Sequence, residues 1–239
     1  MFKNIIWDFD GTLFDTYSAQ TSLLSKIVLD EYNLTITKET IRAFTTNSFD
    51  FALKEIANIV NVEFEEIKNH FISSYPLVSL DDEFPYTYAY ELCSMVRNSG
   101  GKNMINTHRG KERLFLLLRY YNMFELFSDI ITADDDFPRK PDPTSFNTLI
   151  DRNGLNVGET LVIGDRELDI LGGQNAGLQT YFFNSNNLDI EKVKSDFMGD
   201  NLEGVVQLKR GCSLTPRTTP KSYLWGYELR PSPKLPLTV

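Results

Sequence analysis

Two aspartates near the N-terminus, Asp8 and Asp10, end an apolar run and precede Gly11. On a β-strand, side chains alternate between the two faces, so both carboxylates would point to the same side. Gly11 then lets the backbone leave the strand in a conformation that other residues resist. Because charged side chains are rarely buried without a partner, the paired acids predict a cation at the carboxyl end of a buried strand.

Polar side chains also follow the other predicted strands of the chain. They are Thr107, His108 and Arg109, then Lys140 in a proline-flanked loop, and then Asp165 and Asp169. The carboxyl ends of parallel strands lie along one edge of a sheet, so these groups are expected to meet the two aspartates. Oxygen ligands without histidine or cysteine suit a hard cation, Mg²⁺ above all.

The apolar periodicity predicts the elements that position these residues. Strands are predicted over 3–9, 102–107, 129–132, 160–164 and 179–183, and helices over 86–98, 111–121, 144–152 and 167–175. This alternation is typical of an α/β fold, and we expect a Rossmann-like three-layer core with a parallel sheet. From Ser18 to about Tyr75 the pattern is helical with no convincing strand, which predicts an inserted all-helical subdomain.

The expected domain boundaries follow from this pattern. Residues 1–16 and 78–210 form the α/β core, and residues 17–77 form the helical insertion, with hinges near Phe14–Tyr17 and Val78–Pro85. Asp15 at the first hinge either serves the site or caps the following helix. Residues 211–239 hold five of the ten prolines and are expected to be a loose extension. Tyr223, Trp225 and Tyr227 leave a partner-binding role for it open.

Composition limits the classes of partner. The chain has 239 residues and a formal net charge of -9, which argues against a general nucleic-acid or membrane binder. No apolar stretch is long enough to span a bilayer, and the N-terminus lacks the pattern of a signal peptide. Cys93 and Cys212 have no metal-type spacing. We therefore expect a cytoplasmic protein whose thiols stay reduced.

Taken in order, the motifs DFDGTL, Thr107, RKPDP and GDRELD resemble those of the haloacid dehalogenase-like hydrolase superfamily. The match is to the branch with a helical cap, which includes phosphoglycolate phosphatases and β-phosphoglucomutases, and it covers residues 1–185. The resemblance implies an Mg²⁺-dependent phosphatase that hydrolyses a small-molecule phosphate monoester. A monomer or a weak homodimer is expected.

The resemblance also implies roles for the acidic residues and the lysine. Asp8 would be the nucleophile that becomes an aspartyl phosphate, and Asp10 would be the general acid and base. Lys140 would neutralise the charge that Asp8 shares with the phosphoryl group. The Asp8 carboxylate, the Asp10 carbonyl and Asp165 would hold Mg²⁺, with Asp169 as a water-mediated ligand or a support.

A second set of residues would bind the substrate. By the same resemblance, Thr107 and the backbone amides of Gly11 and Thr12 would hydrogen-bond the phosphoryl oxygens. His108 and Arg109 could contact the phosphate or the leaving group, and a solvent-facing loop is the alternative.

Three alternatives compete with hydrolysis of a monoester. Dehalogenases of this superfamily lack the second aspartate, so Asp10 argues for phosphoryl transfer. Phosphosugar mutases place a histidine and an arginine in the cap, whereas Gln20 lies near the expected histidine and residues 45–50 contain no basic side chain. This favours hydrolysis and hints at a substrate with one phosphate and a largely neutral remainder. A non-catalytic phospho-ligand-binding or regulatory protein remains the third possibility.

Overall fold

The computed structural model describes residues 2–186 and 193–211. Within them there are eight strands: β1 (Asn4–Trp7), β2 (Phe14–Asp15), β3 (Phe84–Pro85), β4 (Asn103–Asn106), β5 (Phe127–Ile131), β6 (Thr160–Gly164), β7 (Gln179–Phe183) and β8 (Phe197–Gly199). Six of them form one sheet in the order β5-β4-β1-β6-β7-β8. All neighbours in this sheet are parallel. The predicted parallel sheet is therefore confirmed.

The described residues also contain nine α-helices. They are α1 (Tyr17–Tyr32), α2 (Lys38–Asn47), α3 (Phe49–Val60), α4 (Phe64–Ser74), α5 (Ala89–Asn98), α6 (Lys111–Tyr120), α7 (Thr144–Asn153), α8 (Glu167–Asn175) and α9 (Glu203–Lys209). The last five are interspersed with the strands of the large sheet, as expected for parallel strands joined by helical crossovers.

Alternation along β1 explains why the core has three layers. Ile5 and Trp7 belong to a large apolar cluster that includes side chains of α5, α6 and α9. Ile6, between them, belongs to a second cluster with Phe146 and Leu149 of α7. Successive side chains of a strand point to opposite faces, so the central strand is buried by helices on both sides.

The helices α1–α4, called the cap below, have an apolar core of their own. Leu24 of α1, Ile41 of α2 and Leu53 of α3 are buried together with Ile67 of α4. Two of these helices begin at polar residues whose side chains accept a backbone N–H: Thr37 from Thr40, and Ser48 from Phe51. The predicted all-helical subdomain is thus present, while the boundaries proposed for it from the sequence stay a prediction.

The chain passes between the cap and the core through a two-stranded antiparallel pair. Phe14 of β2 is opposite Pro85 of β3, and Asp15 is opposite Phe84. Asp15 also accepts hydrogen bonds from the backbone N–H and the hydroxyl of Ser18 at the start of α1. Asp15 therefore bonds the first turn of α1, whose N-cap residue is Thr16.

Two late elements of the core were absent from the sequence prediction: the edge strand β8, and α9, which packs in the apolar cluster on one face of the sheet. β8 has three residues and α9 has seven, and neither is long enough to show a clear apolar period. Residues 212–239, which include Cys212 and the three aromatic residues noted above, lie outside the described residues. Within the described part of the chain, no helix is both long and apolar enough to cross a bilayer.

Candidate active site

The site begins where β1 ends. Asp8 follows this strand, and its backbone N–H donates to the carbonyl of Ile163 in β6 (2.9 Å). The chain then turns at Gly11, whose φ is +76°. A Cβ atom there would lie 2.3 Å from Cε2 of Tyr17 and 2.5 Å from Oδ2 of Asp165. Glycine is therefore required both by the backbone conformation and by the close approach of Asp165.

Lys140 joins two of the aspartates. Its Nζ atom donates to Oδ1 of Asp8 (2.7 Å), to the carbonyl of Asn106 (2.9 Å) and to Oδ1 of Asp169. The side chains of Lys140, Asp8 and Asp169 are each 1% exposed. The backbone N–H of Lys140 donates to Nε2 of His108 (3.0 Å), which holds the loop against the end of β4. The lysine is thus a buried cation at the carboxyl edge of the sheet.

Three carboxylates meet at this edge. Oxygen atoms of Asp8, Asp165 and Asp169 lie within 4.8 Å of one another, and all three residues are buried. Asp165 accepts hydrogen bonds from the hydroxyls of Thr12 (3.1 Å) and Tyr17 (3.0 Å). Oδ2 of Asp8 has no hydrogen-bond partner among the described residues.

The pKa values show the cost of burying these acids. Burial raises the pKa of Asp8 to about 6, and Asp169 adds to this effect while Lys140 opposes it. Burial also raises the pKa of Asp165 to about 8, with Asp8 and Asp169 contributing in the same direction. For Asp169, burial acts to raise the pKa, but Lys140 and Arg166 outweigh it, and the pKa lies below its usual value. Burial is therefore the main cost of this cluster, and Lys140 and Arg166 outweigh it only at Asp169.

This donor set fits a magnesium ion. The group offers carboxylate oxygens without histidine or cysteine, and one of those oxygens, Oδ2 of Asp8, is buried and unpaired among the described residues. A divalent cation would relieve both the missing partner and the repulsion between carboxylates. The side chain of Asp10 is not part of the group.

The Asp10 carboxylate instead belongs to a second network. It accepts a hydrogen bond from the hydroxyl of Thr16 (2.6 Å) and forms an ion pair with Nη1 of Arg109. Nη2 of Arg109 donates to Oε1 of Glu83 (2.7 Å) and to the hydroxyl of Tyr75. Arg109 is buried, so the solvent-facing alternative for this residue is excluded. Its guanidinium links Asp10 to the hinge between the core and the cap.

Thr107 and His108 lie beside this network. Thr107 is buried, and its hydroxyl accepts from the backbone N–H of Arg109 (3.1 Å). Burial, with the positive charges of Lys140 and Arg166, lowers the pKa of His108 to about 3. His108 is therefore neutral at physiological pH and serves as a hydrogen-bond acceptor for the Lys140 loop.

Next to Asp10, a cavity of about 530 Å³ opens between the core and the cap. On the core side it is lined by Asp10, His108 and Arg109, and on the cap side by Gln20, Phe49 and Phe71. A molecule bound there would contact the second aspartate directly.

Sequence reasoning missed several residues of these networks, among them Thr16 and Tyr75 around Asp10 and Arg109. Tyr17 bonds Asp165, Asn106 bonds Lys140, and Glu83 bonds Arg109 and Arg113. Glu83 ends an acidic run with two exposed aspartates, a pattern that indicates a solvated loop. For Tyr17 and Asn106 the one available signal is position, since each lies within a few residues of a recognised motif.

Similarity to known proteins agrees with this geometry. A family model described as haloacid dehalogenase-like hydrolase matches residues 5–183. The protein belongs to the haloacid dehalogenase-like hydrolase family. The resemblance inferred from the four motifs is thereby confirmed, since they all lie within the matched residues.

Alignments with individual relatives of this hydrolase cover most of the chain. A protein named pyrophosphatase PpaX from Bacillus cereus (strain AH820) is 26% identical over an alignment of 213 residues, and the alignment covers 86% of this chain and 95% of the relative. The crystal structure of a predicted phosphoglycolate phosphatase from Haemophilus somnus 129PT aligns with a TM-score of 0.74 at 21% identity, covering 87% of this chain and 97% of that one.

A third relative is the HAD hydrolase YfnB from Bacillus subtilis, whose structure was determined bound to magnesium. It aligns with a TM-score of 0.67 at 20% identity and covers 87% of this chain and 99% of that one. At this identity the two structural alignments establish the shared fold.

Proposed function

We propose that the protein is an Mg²⁺-dependent phosphatase that hydrolyses a small-molecule phosphate monoester through an aspartyl phosphate on Asp8. The observation that carries this proposal is the buried contact of Asp8 with Lys140, beside Asp165 and Asp169. A nucleophile for an anionic phosphate needs positive charge around it, and the lysine supplies part of that charge.

The metal site would consist of Asp8, Asp165 and the backbone carbonyl of Asp10, with Asp169 as a support or a water-mediated ligand. When bound, Mg²⁺ would offset the repulsion between the anionic nucleophile and the anionic phosphate. Family membership and the magnesium-bound structure of YfnB support this choice of metal.

The chain's own residues would then act in two steps. An Asp8 oxygen attacks phosphorus, the bond from phosphorus to the leaving oxygen breaks, and Asp10 gives a proton to that oxygen. In the second step Asp10 takes a proton from water, the water oxygen attacks phosphorus, and the bond to Asp8 breaks. Lys140 stays protonated throughout. Burial acts to lower its pKa, but the negative charges of Asp169 and Asp8 outweigh burial, so the pKa is raised above its usual value.

By the family resemblance, phosphate binding would fall to Thr107 and the amides of Gly11 and Thr12; these amides now donate to the carbonyls of Phe14 (2.8 Å) and Phe9 (3.4 Å) and would exchange those partners for the phosphate. His108 and Arg109 are better suited to holding the Lys140 loop and Asp10, since each already has protein partners. The cap would exclude bulk water from the site when the substrate is bound.

Two other functions have less support. The names of the PpaX relatives suggest pyrophosphate as an alternative substrate. A phosphosugar mutase needs a second phosphate site, whereas Gln20 lies near the position expected for the histidine and residues 45–50 contain no basic side chain. A monomer or weak homodimer in the cytoplasm remains our expectation, with no role in nucleic-acid or membrane binding.

The proposal is tested by release of phosphate from p-nitrophenyl phosphate. We expect Mg²⁺-dependent turnover that EDTA abolishes and that Asp8→Asn reduces by at least about 10³-fold. Asp30→Asn, on the exposed face of α1, is the matched control and should retain full activity. Equal rates for wild type and Asp8→Asn, or turnover unaffected by EDTA, would contradict the proposal.

A further inference from the structure

The cavity beside Asp10 lies where a leaving group would be held, because Asp10 is the residue proposed to protonate it. Its lining includes a set of apolar side chains from the cap and from α6. These are Phe49, Phe71, Ile72, Tyr75 and Leu116. Apolar surface of this extent favours a ligand that itself carries apolar atoms.

The two arginines that line the cavity are already neutralised. Arg109 is paired with Asp10 and Glu83, and Arg113 is paired with Glu83 and donates to the carbonyl of Val78. A guanidinium held by carboxylates in this way offers little net positive charge to a second anion.

Acidic side chains outnumber the basic ones in the same wall. Glu112 and Asp134 line the cavity together with Asp10, against the two arginines, while His108 is neutral. Two cap residues that could have added positive charge are bonded elsewhere: Lys38 donates to Ser22, and Arg42 donates to Ser18 and Asn186. The described residues that line the cavity thus carry one net negative charge when Asp10 is ionised and none when Asp10 is protonated, as the first step requires, so in neither state is positive charge in excess.

Gln20 adds one polar feature to this wall. The residue is 8% exposed, it lines the cavity, and its Oε1 atom has no hydrogen-bond partner among the described residues. Buried polar atoms without partners are rare in folded proteins. A ligand with a hydroxyl or an N–H group would supply the missing partner.

From these observations we infer that the substrate's leaving group is an uncharged alcohol with apolar surface and a hydrogen-bonding group, bound in this cavity and recognised by Gln20. This inference rests on the proposed phosphatase function. It separates the protein from its PpaX relatives in substrate class, because a phosphate leaving group would bring negative charge to a wall whose two arginines are already paired with carboxylates.

A matched pair of substrates tests the effect of charge. 2-Phosphoglycolate and its amide, 2-phosphoglycolamide, differ in the charge of the leaving group and hardly in size. We expect kcat/KM to be at least about tenfold higher for the amide, and higher for benzyl phosphate than for inorganic pyrophosphate. A preference for pyrophosphate or phosphoglycolate over the neutral esters would overturn the inference.

Two variants test the lining directly. Leu116→Arg adds one positive charge to the wall and offsets Glu112, four residues earlier on α6, so the ratio of kcat/KM for phosphoglycolate over its amide should rise about tenfold. Leu29→Arg, exposed on α1 outside the cavity, should leave this ratio unchanged. Gln20→Leu should lower the preference for 4-(hydroxymethyl)benzyl phosphate over benzyl phosphate about tenfold, whereas Gln207→Leu on α9 should not. Unchanged ratios in both cavity variants would overturn the inference.

The same measurements separate this inference from the proposed function. If p-nitrophenyl phosphate is hydrolysed with Mg²⁺ but anionic leaving groups are preferred, the leaving-group inference fails and the phosphatase function stands. If no phosphate ester is hydrolysed, both fail.

Discussion

The Nζ atom of Lys140 lies 2.7 Å from Oδ1 of Asp8, and both side chains are almost completely removed from solvent. The two residues are 132 positions apart in the chain. The same ammonium also contacts Asp169, so one cation serves two buried carboxylates. Because this ammonium hydrogen-bonds both acids, its loss would leave the two carboxylates poorly balanced.

Replacing Lys140 with methionine is therefore expected to damage both activity and stability. We expect phosphatase activity to fall by at least about 10³-fold, since the charge beside the nucleophile is lost. The free energy of unfolding, measured in urea, should fall by about 3 kcal/mol because buried carboxylates are left unpaired.

The neighbouring Arg139 provides the control for this variant. Its side chain is 70% exposed and lies 3.6 Å from Asp50. Arg139→Met should change the free energy of unfolding by less than about 1 kcal/mol. Similar losses in the two variants would show that the buried lysine has no special role.

Gly11→Ala should disrupt the site more than an equivalent change at another glycine with positive φ. The new Cβ would clash with Tyr17 and Asp165, whereas a Cβ at Gly154, where φ is +60°, would have nothing within 4 Å. We expect Gly154→Ala to cost about 1 kcal/mol of unfolding free energy from backbone strain alone. Gly11→Ala should lower the unfolding free energy by clearly more than Gly154→Ala, and it should weaken Mg²⁺ binding, measured by calorimetry. Equal losses of unfolding free energy in the two variants would contradict the predicted clash.

Binding of Mg²⁺ should depend on pH through Asp165. Burial raises the pKa of this carboxyl from 3.8 to about 8, so at pH 7 a proton must leave before the carboxylate can bind a cation. The metal-free folded state holds this proton where the unfolded state does not, so its stability falls as pH rises from about 4 to about 8.

Thermal unfolding with and without Mg²⁺ measures this effect. The rise in Tm caused by Mg²⁺ should be larger at about pH 8.5 than at about pH 6.5, with affinity falling up to about tenfold per pH unit below about 8. Asp165→Asn should remove most of this dependence. An Mg²⁺ affinity that is constant between these pH values in the wild type would argue against the raised pKa.

Glu83 is expected to stabilise the hinge between the cap and the core through its two ion pairs. The side chain is fully buried and accepts from Arg109 and Arg113. Glu83→Gln leaves two guanidinium groups short of negative charge, so we expect a loss of about 3 kcal/mol in unfolding free energy and a lower kcat. The adjacent Asp82 is exposed, and Asp82→Asn should change stability by less than about 0.5 kcal/mol. If Glu83→Gln and Asp82→Asn change the unfolding free energy equally, the ion pairs of Glu83 with Arg109 and Arg113 contribute little to stability.

The sequence was most informative where a motif follows a strand. Asp8, Lys140 and Asp169 lie together because strand ends and the loops beside them share one edge of a parallel sheet. That rule needs only the order of strands and helices along the chain, so the sequence alone was enough to predict that these three residues lie close together.

The second network could not be predicted in this way. Arg109, Glu83 and Tyr75 come from a strand end, the hinge and the end of the cap, and their contacts depend on how the cap sits on the core. Glu83 stands in an acidic run, where local pattern favours exposure. Likewise, β2 and β3 have two residues each, too few for a periodic signal.

The pairing of β2 with β3 gives the insertion a simple topology. Asp15 and Phe84, which flank the whole cap, face each other in adjacent strands. Relative to the core, the cap is therefore inserted like one long loop of a β-hairpin. The two chain ends that flank it are already paired with each other in β2 and β3. Chain insertions are best tolerated where their ends are close. A short turn between Asp15 and Phe84 would therefore leave the strands of the sheet unbroken, while the hydrogen bonds of Tyr17 to Asp165 and of Arg109 to Tyr75 would be lost with the cap.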